Sequence, residues 1–501
     1  LAPVENTKCS STGLAPEQSA INEKKNNLFL FSHRKIIYPS LLLLILVCGY
    51  FLWRARTGQF ILSQWWSISP FYLYAYLGVL FLTGLLIFSH LKTYRRLPIE
   101  NAKSIKQQPA IRHPSNRVGI ILLIIILVSL LSHLALPLVY QAGCGGDKWR
   151  HLAAEQWLSE GKVYAPAIFG QDKVEWQSFG PIKIPAVLLT GNKTSYAGMW
   201  GLTMAISWIS GLPLFYVDLW LGLLLWSIFL PLLLYLLAGY FWRNKRWRCL
   251  LAFIPILFYP IQFYGGLTLP VSFSFLWFLW VIILFCEYLR VNYCSAEKRN
   301  RYLNWVMLIS IFSLYFGYVL YLILGLEILL IAWLIKRLVR PSTLVKKQFY
   351  KRGRKLKLMI VLILCLIIFS ISLPLLDTGY HYSHFKSDIN LKYLLKSTGD
   401  FINRLVFGQG IFLQSKFVEQ DGLIYMNNQE MQQSSQLVNF IPWPFLLTPL
   451  VWLFVIWGII KIKRMRYPRI GYLLFIFLCL TLINQFIGAN LMEGSHLFTK
   501  R

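Results

Sequence analysis

An acid and a histidine four residues apart, Asp147 and His151, stand in the run Cys144-Gly-Gly-Asp147-Lys148-Trp149-Arg150-His151, where a long apolar stretch gives way to polar sequence. On the helix expected over 147–160 that spacing puts both side chains on one face, with Arg150 beside them. An acid, a histidine and a guanidinium gathered where a membrane span meets water form a site, or the start of one. An Asp at a span end followed by basic residues is also the pattern of a capped interfacial helix, so these residues alone leave both readings open.

The elements that must position them are membrane helices. Of 501 residues, 56% are hydrophobic, 16% aromatic and only 14% charged, which excludes an ordinary soluble chain. A hydrocarbon core of ~30 Å needs ~17 to 25 apolar residues per crossing. Such runs lie near 36–53, 70–90, 117–140, 214–241, 249–264, 270–290, 302–318, 320–336, 357–376, 443–460 and 470–490. The expected fold is therefore an all-α polytopic membrane protein with about 11 transmembrane helices and two long outer loops, the first carrying an amphipathic helix.

Charge supplies the orientation, because Lys and Arg in short loops collect on the cytoplasmic side. With the amino terminus inside, 35 of the 50 Lys and Arg fall in segments 1–35, 91–117, 243–248, 290–301, 336–357 and 461–469, while 12 of the 20 Asp and Glu fall outside. The formal net charge of +30 thus reads as a topology signal spread over many short loops, suited to anionic lipid headgroups, and no nucleic-acid partner is expected. The apolar run at 36–53 reads as a signal anchor, and the opening Leu1-Ala-Pro, without methionine, reads as that of a fragment. The expected location is the plasma or inner membrane.

The segments expected are a cytoplasmic stretch 1–35, a two-helix membrane segment 36–116, a membrane core 117–376 that includes the first outer loop 141–213, a second outer loop 377–442, and terminal membrane helices 443–501. Function is sought in the two loops. The first continues Gly161-Lys-Val-Tyr164, a helix stop and turn, then Trp176-Gln-Ser-Phe179-Gly180-Pro181, then an interfacial or re-entrant helix over 197–210. The second holds Asp377, His381, His384, Asp388, Lys392, Asp400 and Arg404. His381 and His384 are spaced like metal ligands, but a Tyr-rich interfacial loop places histidines so without a metal, and none is expected. Lys392 and Arg404 suit a lipid phosphate. Only Cys144 of eight cysteines lies clearly outside, so no disulfide framework is expected. Three acids fall in or beside spans: hydration at span ends accounts for Asp218 and Glu287, and Glu327 lies deep within one.

Gly146-Asp147 to Gly161-Lys-Val-Tyr164, followed by Tyr196-Ala-Gly-Met-Trp200 to Gly211-Leu-Pro213, resembles the GT-C superfamily of integral-membrane glycosyltransferases, of the protein mannosyltransferase-like kind, over roughly 117–290. The resemblance implies transfer of a sugar from a polyprenyl-phosphate carrier to a glycan, lipid or protein acceptor at the outer face, with Asp147 as base and no cofactor. His151 would orient the carboxylate or touch the sugar, while Lys148, Arg150 and Arg404 would meet the leaving phosphate. Trp149, with Trp157, Trp176 and Phe179, would offer apolar faces to a sugar or prenyl chain, and Tyr164 completes the substrate-binding set. The chain departs from the family pattern at Lys148, where many relatives carry a second acid. It also lacks a Trp-Trp-Asp signature and adds two spans ahead of residue 117. The competing class is a transporter or flippase without covalent chemistry, for which Glu327 is the marker; a polysaccharide polymerase or ligase and a non-enzymatic assembly subunit are further readings.

Overall fold

The structure is a computed structural model that describes residues 36–56, 68–92, 116–139, 146–160, 176–179, 181–185, 196–258, 261, 265–291, 297–338, 384–387, 389–407, 416–420, 423–427, 448–465 and 467–493. Helices dominate, and apolar length decides which of them cross. Among the described residues, Ile36–Arg54 (α1), Pro70–Lys92 (α2), Leu214–Phe241 (α6) and Pro270–Val291 (α8) contain four stretches long and apolar enough to span a bilayer, which makes this an integral membrane protein. Further helices carry shorter apolar stretches: Asn116–Val139 (α3), Glu297–Ser313 (α9), Val319–Leu338 (α10), Thr448–Ile460 (α12) and Pro468–Phe486 (α13). The expected span 357–376 lies outside the described residues.

Two apolar cores share α6 as their wall. One is built from α1, α2, α3 and Lys245–Phe253 (α7), with Leu52, Tyr72, Ile125, Val128 and Phe253 buried at its centre. The other joins α6 to α8, α9, α10 and α13 around Phe285, Ile311, Ile328 and Leu473. Both depend on helices that are apolar all round, as expected of spans packed on several neighbours.

Over its described residues 249–258, the stretch expected to span 249–264 is an arm broken near Pro255 rather than one continuous helix. Asn244 caps it by accepting from the Arg246 N–H at 3.1 Å, α7 runs nine residues, and a short 3₁₀ turn, Ile254–Leu257, follows at Pro255. Proline removes a backbone donor and crowds the preceding turn, so the α-helix stops there. At its far side the chain lies against the middle of α6. The Gly222 N–H donates to Thr268 Oγ1 at 3.0 Å, and the Trp226 indole N–H donates to the Ser272 carbonyl at 2.9 Å. Gly222 is eight residues into α6, about 12 Å along its axis at 1.5 Å per residue. The first two turns of α6 therefore project past the start of α8, and the first-loop helices pack on α6.

Those helices are Gly146–Ser159 (α4) and Ala197–Ser210 (α5). The α5 helix ends at Gly211, whose φ of 69° is the left-handed conformation glycine adopts without a Cβ penalty, and Leu212-Pro213 leads straight into α6. Among the described residues, strands form three two-stranded antiparallel ribbons: Trp176–Phe179 (β1) with Ile182–Pro185 (β2), His384–Phe385 (β3) with Met492–Glu493 (β6), and Lys416–Gln420 (β4) with Leu423–Asn427 (β5). The β3–β6 pair ties the second loop to the end of α13, and the Lys386 N–H donates to the Leu491 carbonyl at 3.1 Å.

Candidate functional site

The α4 helix begins at Gly146, so Asp147, Lys148, Trp149, Arg150 and His151 occupy its first two turns, and the backbone holds Asp147 and His151 one turn apart. Trp149, itself 47% exposed, stacks on Phe215 in the first turn of α6, with ring centroids 6.1 Å apart. His151 turns toward α5. Its ring meets Tyr196 edge-on at 5.1 Å, and the Trp200 indole N–H donates to His151 Nδ1 at 3.3 Å. With Nδ1 accepting, the neutral imidazole carries its proton on Nε2.

Glu155 lies one further turn along α4 on the His151 face and is fully buried beside Ala154, in the small core that α4 and α5 form around Met199 and Trp200. The sequence offers a signal for it, an acid at i+8 from Asp147 on the same stripe of an amphipathic helix. The burial itself comes from α5, which is remote in sequence.

An aromatic row continues inward from this mouth. Tyr196 stacks on Tyr318 at 6.4 Å, Tyr318 meets Tyr321 at 6.1 Å, and Tyr321 meets Phe275 at 6.3 Å. Phe275 stacks on Trp226 at 5.3 Å, and Trp226 faces His133 at 6.2 Å. Six ring contacts thus connect His151 at the mouth to His133 inside the bundle. The row passes the corner between α9 and α10, where Leu314–Phe316 tightens to a 3₁₀ turn. Gly198 of α5 lies on that corner, since a Cβ there would come within 2.8 Å of the Phe316 carbonyl oxygen.

His133 is the residue the sequence reading missed. It is 2% exposed within α3, its Nδ1 lies 3.3 Å from Ser227 Oγ, and its ring presses on Gly265 so closely that no side chain fits there beside Trp226. A lone ionisable residue in an apolar run was the available signal. Thirteen residues of α6 precede Ser227, about 20 Å of helix.

The acids depart from expectation. Asp218 is 0% exposed, so hydration at a span end does not account for it; one turn further along α6, Gly222 is packed against Leu267 and Thr268. Glu287 is likewise paired rather than merely hydrated. It accepts from Arg290 Nε at 2.8 Å and from the Tyr240 hydroxyl at 3.0 Å, pinning the ends of α6 and α8 together. Glu327 is fully buried in α10.

Leu391–Phe407 (α11) carries Arg404 and Lys392. The Trp452 indole N–H donates to the Leu405 carbonyl at 2.7 Å, and Phe401 packs on Phe486 at 5.3 Å. These contacts hold α11 at the start of α12 and the end of α13, the end of the bundle remote from the Arg290 and Tyr240 pairing, and that is also where α6 begins. The two loops thus share one end. Tyr164, Cys144, Asp377, His381 and Asp388 lie outside the described residues. Among the described residues, no group of three His, Cys, Asp or Glu is gathered as a metal site.

Comparison with known proteins leaves this arrangement to speak for itself. No family model, no curated protein and no solved structure matches the chain.

Proposed function

We propose that the chain is a membrane glycosyltransferase of the GT-C kind, moving a sugar from a polyprenyl-phosphate donor to an acceptor hydroxyl at the outer face, with Asp147 as general base. The observation that carries the reading is the seating of α4. The helix bearing Asp147 and His151 is docked on α5 and α6 at one end of a membrane bundle, and an aromatic row runs inward from it.

In this reading the acceptor oxygen attacks the anomeric carbon as the bond from that carbon to the phosphate oxygen breaks. The hydroxyl proton passes to Asp147, and polyprenyl phosphate leaves with its charge met by Lys148, Arg150 or Arg404. His151, held by Trp200, positions the carboxylate or a sugar hydroxyl. Trp149 and the Tyr196 row offer faces to the sugar or the isoprenoid chain, and Tyr164 belongs to the same binding set. A single attacking hydroxyl with one base accords with inversion at the anomeric carbon. The donor lipid reaches the site from the membrane, the amino terminus lies on the cytoplasmic side of the plasma or inner membrane, and no metal takes part.

A transporter for lipid-linked or small substrates is the second reading. The full burial of Asp218 and Glu327 within α6 and α10 favours it, because buried membrane acids mark ion and substrate paths.

Reconstituted protein incubated with mixed lipid-linked sugars and a membrane extract as acceptor source separates the two. The glycosyltransferase reading expects free polyprenyl phosphate from the intact protein and none above background from Asp147→Asn. Equal release by both, or none from either, removes Asp147 as base and shifts the weight to transport.

A further inference from the structure

The end of the bundle opposite α4 holds a second feature, unrelated to sugar transfer. There the last turn of α6, the α7 arm, α12 and α13 enclose a crevice of about 340 Å³, lined among others by Trp242, Trp247, Leu250, Phe454, Trp457 and Leu474. Its walls are almost entirely apolar. Three indoles form one side: Trp247 and Trp457 stack at 4.8 Å, Trp242 and Trp457 at 6.3 Å, and Trp242 and Trp247 lie 6.4 Å apart. Their positions are fixed locally, since Arg248 Nε donates to the Trp242 carbonyl at 3.0 Å and so closes the turn between α6 and α7.

The rim has one sign of charge. Segments 241–258 and 448–471, which supply the walls, contain nine Lys and Arg and no Asp or Glu. Arg243 and Arg464 are exposed and Lys245 and Lys461 half-buried, each next to or one residue from a lining side chain. An apolar slot of this size accepts a hydrocarbon chain, and indoles beside cations are the composition of a membrane interface that receives an anionic headgroup. At Gly458 the slot has unfilled space, because a Cβ there would meet nothing within 4 Å.

We propose that this crevice is a binding site for an anionic phospholipid, one acyl chain lying between the indoles and α13, its phosphate against Arg243, Lys245, Lys461 and Arg464. The site orders the contact between the α7 arm and the last two helices, and it stands whether or not the sugar-transfer reading holds.

The test is lipid retention by native mass spectrometry of the full chain, taken from bilayers of equal phosphatidylglycerol and phosphatidylcholine. Wild type retains phosphatidylglycerol preferentially. Gly458→Leu, which fills the slot on an open side, lowers retention of both lipids without lowering the unfolding temperature. Lys461→Gln with Arg464→Gln reduces the preference for the anionic lipid by about 30-fold, at ~1 kcal/mol for each cation near the surface, while leaving phosphatidylcholine retention unchanged. Equal retention of the two lipids by wild type, or undiminished retention by Gly458→Leu, overturns the proposal. A phosphatidylglycerol with a photoreactive acyl chain gives a readout that needs no variant: labelling concentrated on Trp247, Phe454 and Leu474 supports the site, and labelling spread evenly over the lipid-facing helices removes it.

Discussion

The Trp200 indole donates to His151 Nδ1 across 3.3 Å, joining two residues that stand 49 positions apart. The bond fixes one imidazole tautomer and holds the ring from α4 against Tyr196 and against Trp200 of α5. It is one of the contacts by which α4 and α5 meet.

Trp200→Phe keeps a ring of similar shape and removes the donor. We expect a stability loss of about 1 kcal/mol, the usual net worth of one such bond. In the proposed reaction kcat falls about tenfold with KM little changed, because a positioning contact acts on the reacting geometry. Unfolding curves in detergent and steady-state polyprenyl phosphate release check the two parts; a change confined to KM would place His151 in ground-state binding only.

Asp147→Asn and Glu327→Gln separate the functional classes. The first is expected to reduce polyprenyl phosphate release by ~10² to 10⁴-fold, the range for loss of a general base. The second is expected to leave release within about twofold, since no proton-transfer role in sugar transfer falls to an acid buried in α10. If instead Glu327→Gln is inactive and Asp147→Asn is not, the chain is better described as a transporter.

Gly265→Ala tests the contact with His133. The new methyl group would overlap the imidazole and come within 2.9 Å of Trp226 Cε3, so a loss of about 1 to 3 kcal/mol is expected from overpacking. Combining it with His133→Ala frees the space, and the double variant recovers part of that loss. Additive effects in the cycle would show that the two residues do not press on one another.

Tyr240→Phe removes the hydroxyl that donates to Glu287 while leaving the Arg290 pair, whose nearest atoms are 2.5 Å apart. We expect a cost of about 0.5 to 1.5 kcal/mol in thermal unfolding and unchanged activity, as suits a bond that fastens α6 to α8 far from α4. A large loss of activity at full stability would mean that this end of the bundle communicates with the first loop.

Much of the architecture was legible before any coordinates. Apolar length alone marks α1, α2, α6 and α8 as spans, the four-residue spacing of Asp147 and His151 marks the face of α4, and the stop at Gly211-Leu-Pro213 marks where α5 turns into α6. Pro255 carries the break in the α7 arm, although the apolar run around it reads as continuous. These are local properties, set by hydrophobicity over a window, by backbone torsions and by caps.

What the tertiary structure decided lies between residues distant in sequence. Helices that are apolar all round carry no pattern saying which side meets which neighbour, so the row from His151 through Tyr196, Tyr318 and Trp226 to His133 has no signature in the chain. Asp218 reads as a hydrated residue near a span end until the helices pack and leave it fully buried in α6. Gly265 reads as a loop glycine until an imidazole from α3 occupies the place of its side chain. The sequence by itself determined that this is a helical membrane protein with chemistry-bearing residues at one end; close packing of helices against one another, which depends on shape rather than on periodicity, decided which of those residues touch.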